Sequence, residues 1–470
     1  MLFPTLDFLL FFLVVAAALA VLDRRFAQKK AMLVIASYYF YAQWDWRFCF
    51  LLAGSTTISY FAGLWIGGSE DAARRRLVLT MGVTLHLVIL GIFKYLDFLI
   101  GSANQLAHML GLQHELPFFE VLLPVGISFF TFHGISYVID VYRGDVKMCR
   151  APLDMALYMS FFPQLVAGPI VRAAYFLPQL ARPSDEPIPV AAALLLILGG
   201  MIKKVIIANY LATGLVDPVF AAPDNYGGPD LLAATYGYAV QIYCDFSAYT
   251  DIAIALAALC GFRFPRNFNQ PYRALRLREF WQRWHMSLSF WLRDYLYKPL
   301  GGNRHGRLDT YRNLLITMLL GGIWHGAAWK FVMWGALHGG GLAVERMSEP
   351  WLGRRPMSAA GKIVSWLIVF HFVCFAWIFF RAEDFAVARV FIAGLGGGWG
   401  EPVQQAQPAM VALILIGLAG QFLPPGTFER AGLALQRVPY WGLGVAAGLI
   451  VAVINALGPE GIAPFIYFRF

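Results

Sequence analysis

LVLTMGVTLHLVILGIFKYLDFLI, residues 77–100, is the stretch that decides the fold class. A helix needs about 20 mostly apolar residues in a row to cross the ~30 Å hydrocarbon core of a bilayer. This run supplies them, contains no proline, and follows directly on Arg74, Arg75 and Arg76. Comparable runs recur at 6–22, 31–44, 48–67, 120–141, 189–214, 231–260, 313–342, 362–380, 408–423 and 441–456, which predicts about eleven spans. The stretch 154–180 is also apolar, but Pro163, Gly168, Pro169 and Arg172 interrupt it. It reads as a bent or re-entrant segment buried in protein. Backbone inside lipid must satisfy its own hydrogen bonds, so these runs predict helices. They are continuous and not alternating, which argues against a barrel. The expectation is an all-α polytopic membrane protein with one integral domain over 1–470. No internal repeat, low-complexity run or soluble domain is visible, and the only linkers are short, at 181–188 and 424–438.

Composition agrees with a bilayer. Of 470 residues, 59% are hydrophobic, 16% aromatic and 14% charged. Soluble domains carry about 25% charged residues, and a single buried core stops growing well below this length. The net charge of +9 raises nucleic acid as a partner, but basic residues also gather in the cytoplasmic loops of membrane proteins. The second account needs nothing further, so no nucleic-acid partner is expected. The five cysteines, Cys49, Cys149, Cys244, Cys260 and Cys374, form no close pair. Neither a disulfide framework nor a zinc site is expected, and four of them read as small residues filling the core.

Loop charge predicts the orientation. Arg24, Arg25, Lys29 and Lys30 follow the first run, Arg74 to Arg76 follow the third, and Arg143, Lys147 and Arg150 follow the fifth. The loops between, 45–47 and 101–119, hold only Arg47 as a basic residue. Basic loops lie in the cytoplasm, which places the N-terminus outside. Ala18-Leu19-Ala20 imitates a signal-peptidase site, but Asp7 precedes the first run where a signal peptide carries positive charge. The first span is expected to be retained.

Segment 263–312 differs from the rest, with eleven basic residues against Glu279, Asp294 and Asp309. Trp281, Trp284, Leu288, Trp291 and Tyr295 recur at helical spacing on one face, with Gln282, Arg283, Arg293 and Asp294 on the other. This predicts an amphipathic helix at the cytoplasmic surface or packed under the spans.

Ionisable groups within apolar runs are costly and so are functional candidates. His325 leads them, in Gly321-Gly322-Ile323-Trp324-His325-Gly326. Its small neighbours allow close approach, and Trp324 and Trp329 can wall a pocket. An imidazole is suited to taking a proton from a hydroxyl. A core histidine bonded to a helix carbonyl is the structural alternative. His285 sits at the edge of the apolar stripe of its helix, facing membrane or core, or else is an interfacial helix histidine. His338 is expected far along the same helix as His325, on a different face and in a packing role. His86, His133 and His371 also read as packing residues; His108, His114 and His305 read as loop residues. Asp245 and Asp251, inside the run 231–260, either orient a histidine or pair with basic residues, since a buried carboxylate needs a partner. No GxSxG, P-loop, GxGxxG or HExxH pattern occurs, which removes the usual support for a serine hydrolase, an ATP-driven pump, a dinucleotide enzyme or a zinc protease.

Several motifs resemble one family. They are Asn267-Phe268-Asn269-Gln270-Pro271-Tyr272, the run Phe280 to Tyr295 that holds Trp281-Gln282-Arg283-Trp284-His285-Met286-Ser287-Leu288-Ser289, Pro299-Leu300-Gly301-Gly302, and Gly322-Ile323-Trp324-His325-Gly326. Pro124 to Phe132, Ile139-Asp140-Val141-Tyr142-Arg143-Gly144, Ala167 to Arg172 and the terminal Pro464 to Phe470 agree with them. Together, over nearly the whole chain, they resemble the membrane-bound O-acyltransferase family, in its bacterial branch that acetylates exopolysaccharides such as alginate. One departure is His133, where relatives often have glutamine. The resemblance implies a helical funnel with a central tunnel, in the bacterial cytoplasmic (inner) membrane. It implies His325 as the catalytic residue and His285 as its companion, with Asp245, Asn267, Arg283, Trp284, Ser289, Asp294, Trp324 and Trp329 as supporting motif residues. It implies an acyl donor that is a cytosolic thioester, acetyl-coenzyme A, with no bound cofactor and no metal. A periplasmic esterase-like partner would complete transfer to the polysaccharide. Two mechanisms stay open: His325 as general base, or as covalent acyl carrier. The competing readings are a transporter or flippase for a polar lipid or saccharide, a D-alanyl transferase acting on teichoic acid, and a catalytically silent scaffold.

Overall fold

The computed structural model describes residues 3–22, 25–112, 115–183, 186–352, 357–424 and 426–457. Arg24, His114 and the terminal motif Pro464 to Phe470 lie outside them. The described chain is helical and divides into two compact units, 1–189 with 256–265, and 190–255 with 266–470.

The first unit holds α1 (Leu6–Val21), α2 (Phe26–Ala42), α3 (Phe48–Gly67), α4 (Ala72–Met109), α5 (Ile127–Arg143), α6 (Pro152–Ser160) and α7 (Ala173–Ala181). Local chemistry sets the helix starts: Thr5 Oγ1 accepts from Phe8 N at 3.3 Å and Asp71 Oδ1 from Ala73 N at 2.9 Å, each satisfying an orphan N–H of a first turn. The run expected at 120–141 becomes helical only at Ile127. Proline 124 offers no N–H, and Gly126 turns left-handed at φ +75°. A Cβ on Gly126 would stand 2.1 Å from Leu165 O, so only glycine fits. The preceding segment is irregular, with Glu120 left-handed at φ +48°, and is tied to α4. Asn104 exchanges two hydrogen bonds with the Leu116 backbone, and Asp97 accepts from Phe119 N and Val121 N. The apolar stretch 154–180 is broken into short buried helices, as its prolines and glycine predict.

In the second unit lie α8 (Val190–Ala221), α9 (Gly228–Leu259, whose last four residues belong to the first unit), α10 (Leu277–Arg283), α11 (Met286–Leu292), α12 (Arg307–His325), α13 (Trp329–Leu352), α14 (Ala359–Arg381), α15 (Phe385–Gly394), α16 (Pro408–Ala419), α17 (Thr427–Leu435) and α18 (Tyr440–Leu457). Among the described residues, five helices are long and apolar enough to cross a membrane: α3, α4, α8, α9 and α14. The protein is therefore a helical membrane protein.

Two expectations for this unit are corrected. The run 313–342 is not one span. It ends at His325 and restarts at Trp329, and α12 packs back on α13 as a hairpin. Glycines allow the close approach: a Cβ on Gly322 would lie 2.2 Å from Phe331 O, and one on Gly335 2.4 Å from Met318 O. Gly335→Val is expected to force the helices apart, lowering stability by about 1–3 kcal/mol, read as a reduced thermal midpoint of the detergent-solubilised protein. The second correction concerns 281–295, which is not one amphipathic helix. It breaks between α10 and α11 at Trp284 and His285, with His285 left-handed at φ +40°. Its aromatic face, Trp281, Trp284, Leu288, Trp291 and Tyr295, is buried.

Two carboxylates of α9, Asp245 and Asp251, find basic partners on α8. Lys204 Nζ lies 2.9 Å from Asp245 Oδ1, with the side chains 1% and 4% exposed. Lys203 Nζ lies 2.5 Å from Asp251 and 2.9 Å from Ser247 Oγ.

Candidate active site

The break at His285 needs an explanation, because a non-glycine residue in the left-handed region costs of order 1–3 kcal/mol. Asn267, fully buried, supplies it. Its backbone oxygen accepts from Met286 N at 2.8 Å, and its Oδ1 accepts from Ser287 N at 3.0 Å. Asn269 N donates to Arg283 O at 2.9 Å on the other side of the break. The segment 267–269 thus satisfies backbone groups that the helix interruption leaves free. The same Oδ1 lies 3.3 Å from His285 Nδ1. Since Ser287 N identifies Oδ1 as an acceptor, Nδ1 carries the proton and Nε2 carries the lone pair. Burial pushes the His285 pKa down to about 3, so the ring is neutral at working pH.

This predicts a pH response. With the folded pKa below the unfolded value of about 6.5, the unfolded chain takes up the proton first as pH falls. The stability associated with a neutral His285 is present above about pH 6.5 and is lost progressively below it. The thermal midpoint is expected to fall from pH 7.5 to pH 5, and to fall less in His285→Asn, whose short side chain tolerates the left-handed backbone.

His325 closes α12, and its side chain is buried at 3% exposure. Rings surround it. Trp324 stands 5.0 Å away between centroids, Trp334 5.0 Å and Phe380 5.3 Å. Trp324 in turn lies 5.9 Å from His285, which Phe246 meets edge-on at 4.7 Å. The hairpin therefore brings His325 and, through Trp324, His285 into one aromatic cluster. His338, expected on a remote face of the same helix, belongs to this cluster too. Its ring lies 4.7 Å from Trp334, and its Nδ1 receives the Trp281 indole N–H at 3.3 Å.

The other candidates divide. Trp284 stacks with Phe280 at 5.6 Å and meets Trp377 at 5.1 Å, and Ser289 Oγ donates to Trp284 O at 3.3 Å; both support the break. Arg283 bonds Glu279 and Asn269 O, fastening the 267–269 segment. Asp294 pairs with Arg293 and Lys298 in the turn after α11. Asp245 is held by Lys204. Trp329, expected to wall the His325 pocket, is 53% exposed, and Trp334 takes the place expected of it. Sequence reasoning also missed Phe246 and Phe380, which carry no chemical signal of their own.

A cavity of about 510 Å³ opens beside Trp281, the ring bonded to His338. Phe290, Leu314 and Met318 contribute apolar wall, and Arg278, Arg293 and Arg346 line it as well. Arg293 is paired with Asp294, and Arg346 with Glu349. Glu345 and Glu349 also line it, so the cavity joins apolar wall to charges of both signs.

The sequence pattern of MBOAT, the membrane-bound O-acyltransferase family, matches residues 149–383, which hold both histidines and the cluster around them. The probable alginate O-acetylase AlgI of Pseudomonas aeruginosa is 44% identical over 396 residues, 83% of this chain and 73% of that one. The chain belongs to the membrane-bound O-acyltransferase family. Two further family members extend the comparison. The probable alginate O-acetylase AlgI of Pseudomonas putida is 39% identical and is matched along the whole of both chains. The peptidoglycan O-acetyltransferase of Helicobacter pylori is 37% identical over 78% of this chain and 74% of its own. As a family member this protein is an O-acyltransferase, and the resemblance carried by the two histidine motifs is borne out.

Proposed function

We propose that the protein moves an acetyl group from a cytosolic thioester, acetyl-coenzyme A, toward the outside of the bacterial inner membrane for O-acetylation of an exopolysaccharide such as alginate. The observation that carries this reading is His325, buried in an aromatic cluster with the neutral His285, in a chain similar to O-acetylases along its length. His325 acts as general base on the acceptor hydroxyl, and His285 is its companion at the cytosolic mouth of the site. The arginine-lined cavity beside Trp281 receives the donor, its guanidiniums meeting the phosphates of coenzyme A. The proposal includes the family architecture of about eleven spans around a central tunnel. The basic 263–312 segment lies on the cytosolic side and the N-terminus outside. A periplasmic esterase-like protein takes the acetyl group onward to the sugar.

The test compares secreted polysaccharide from cells with and without this chain. The expected result is polymer still secreted and its O-acetyl content lost. Acetylated polymer retained inside the cell would instead identify an exporter.

A further inference from the structure

Three buried polar atoms near His325 have no protein partner among the described residues: His285 Nε2, His338 Nε2 and Trp334 Nε1. Their characters are fixed by what their rings already do. An indole nitrogen only donates, so the Trp281 N–H aimed at His338 Nδ1 makes that nitrogen the lone pair and leaves His338 Nε2 with the hydrogen. Trp334 Nε1 is a donor by its nature. His285 is the opposite tautomer, with its lone pair on Nε2, because Nδ1 gives its hydrogen to Asn267. Of these three atoms, one is an unused acceptor and two are unused donors. Both donors sit on α13 one turn apart, with rings 4.7 Å from each other and Trp334 5.0 Å from His325.

Packing alone does not account for the donors. Trp334 is fully buried among the rings of Trp281, His325, His338, Trp377 and Phe380. A phenylalanine would fill such a site without burying an N–H, and buried tryptophans ordinarily find that group an acceptor. Acyl transfer creates the acceptor that is missing. When the hydroxyl oxygen bonds to the thioester carbon, its proton passes to the His325 base and the carbonyl π pair moves onto oxygen. Collapse reforms the carbonyl, breaks the carbon–sulfur bond, and the leaving thiolate takes the proton from the imidazolium. Preorganised donors aimed at that transient oxygen stabilise it where water is excluded.

We propose that Trp334 Nε1–H and His338 Nε2–H are the donors that hold the carbonyl oxygen of the acyl group as it becomes an oxyanion. This rests on the acetyl-transfer reading above. The experiment measures thiol release from acetyl-coenzyme A by inside-out membrane vesicles carrying the full chain and nascent polysaccharide. Trp334→Phe keeps the ring and deletes the donor; kcat is expected to fall about 10²- to 10³-fold, with KM for acetyl-coenzyme A little changed and the thermal midpoint retained. His338→Gln, which keeps an N–H donor, is expected to be at least about tenfold faster than His338→Leu. Wild-type kcat in Trp334→Phe beside an inactive His325→Ala overturns the oxyanion assignment alone. Wild-type rates in both overturn the acetyl-transfer reading beneath it. Should Trp334→Phe fail to fold, the His338 pair decides: equal rates for glutamine and leucine overturn the assignment, and the tenfold difference supports it.

Discussion

His325→Ala is expected to reduce acyl transfer by about 10²- to 10⁴-fold, the range that a positioned general base contributes, while the protein remains folded in the membrane. The direction follows from where the side chain sits. His325 is the last residue of α12, next to the turn that begins at Gly326, so truncating it removes an imidazole without opening a helix. The cavity left lies among Trp324, Trp334 and Phe380. The surrounding rings lose a neighbour, which costs stability of the order seen for other large-to-small core changes, about 2–5 kcal/mol. Activity per folded molecule is therefore the quantity to measure, with protein amount fixed by quantitative blotting. His325→Gln separates the roles further. Glutamine fills most of the space but takes up no proton in this range, so it is expected to restore the thermal midpoint and not the rate. A rate near wild type in either variant removes His325 from the chemistry.

Much of this is legible in the sequence, and what is not has a physical reason. His325 and His285 stand out because an ionisable group in an apolar run demands an account, and Asn267 because it sits in the same motif series. The hairpin at 326–328 was hidden because Gly326-Ala327-Ala328 is as apolar as the helices it separates, and hydropathy measures length in lipid without registering a reversal of direction. Reading 313–342 as one helix sent His338 to a distant face. Once the chain turns, Trp334 and His338 are neighbours one turn apart on the helix that faces His325. The left-handed His285 was equally silent, since helical periodicity continues across the break and the clamp that holds it lies eighteen residues upstream. Trp329 is near His325 in sequence, but after the turn at 326–328 it lies exposed, and Trp334 meets the His325 ring.

Lys204→Ala is expected to be the most destabilising single change in the second unit outside the aromatic cluster, by about 3–5 kcal/mol, because it leaves the Asp245 carboxylate buried without its cation. The pair lies between α8 and α9, both long enough to span, with 1% and 4% of the side chains exposed. Desolvating two charges there is expensive, and their attraction offsets it only while both are present. Asp245→Leu alone is expected to cost a similar amount by stranding Lys204. Lys204→Met combined with Asp245→Leu removes both charges and keeps the volume, so its thermal midpoint is expected to lie near or above wild type. That double variant also settles what the sequence left open for Asp245. If it folds and transfers acetyl at the wild-type rate, the carboxylate belongs to the helix seam. A folded but inactive double variant would assign Asp245 to the reaction, and Lys203→Met with Asp251→Leu on the same two helices then serves as the control for charge removal as such.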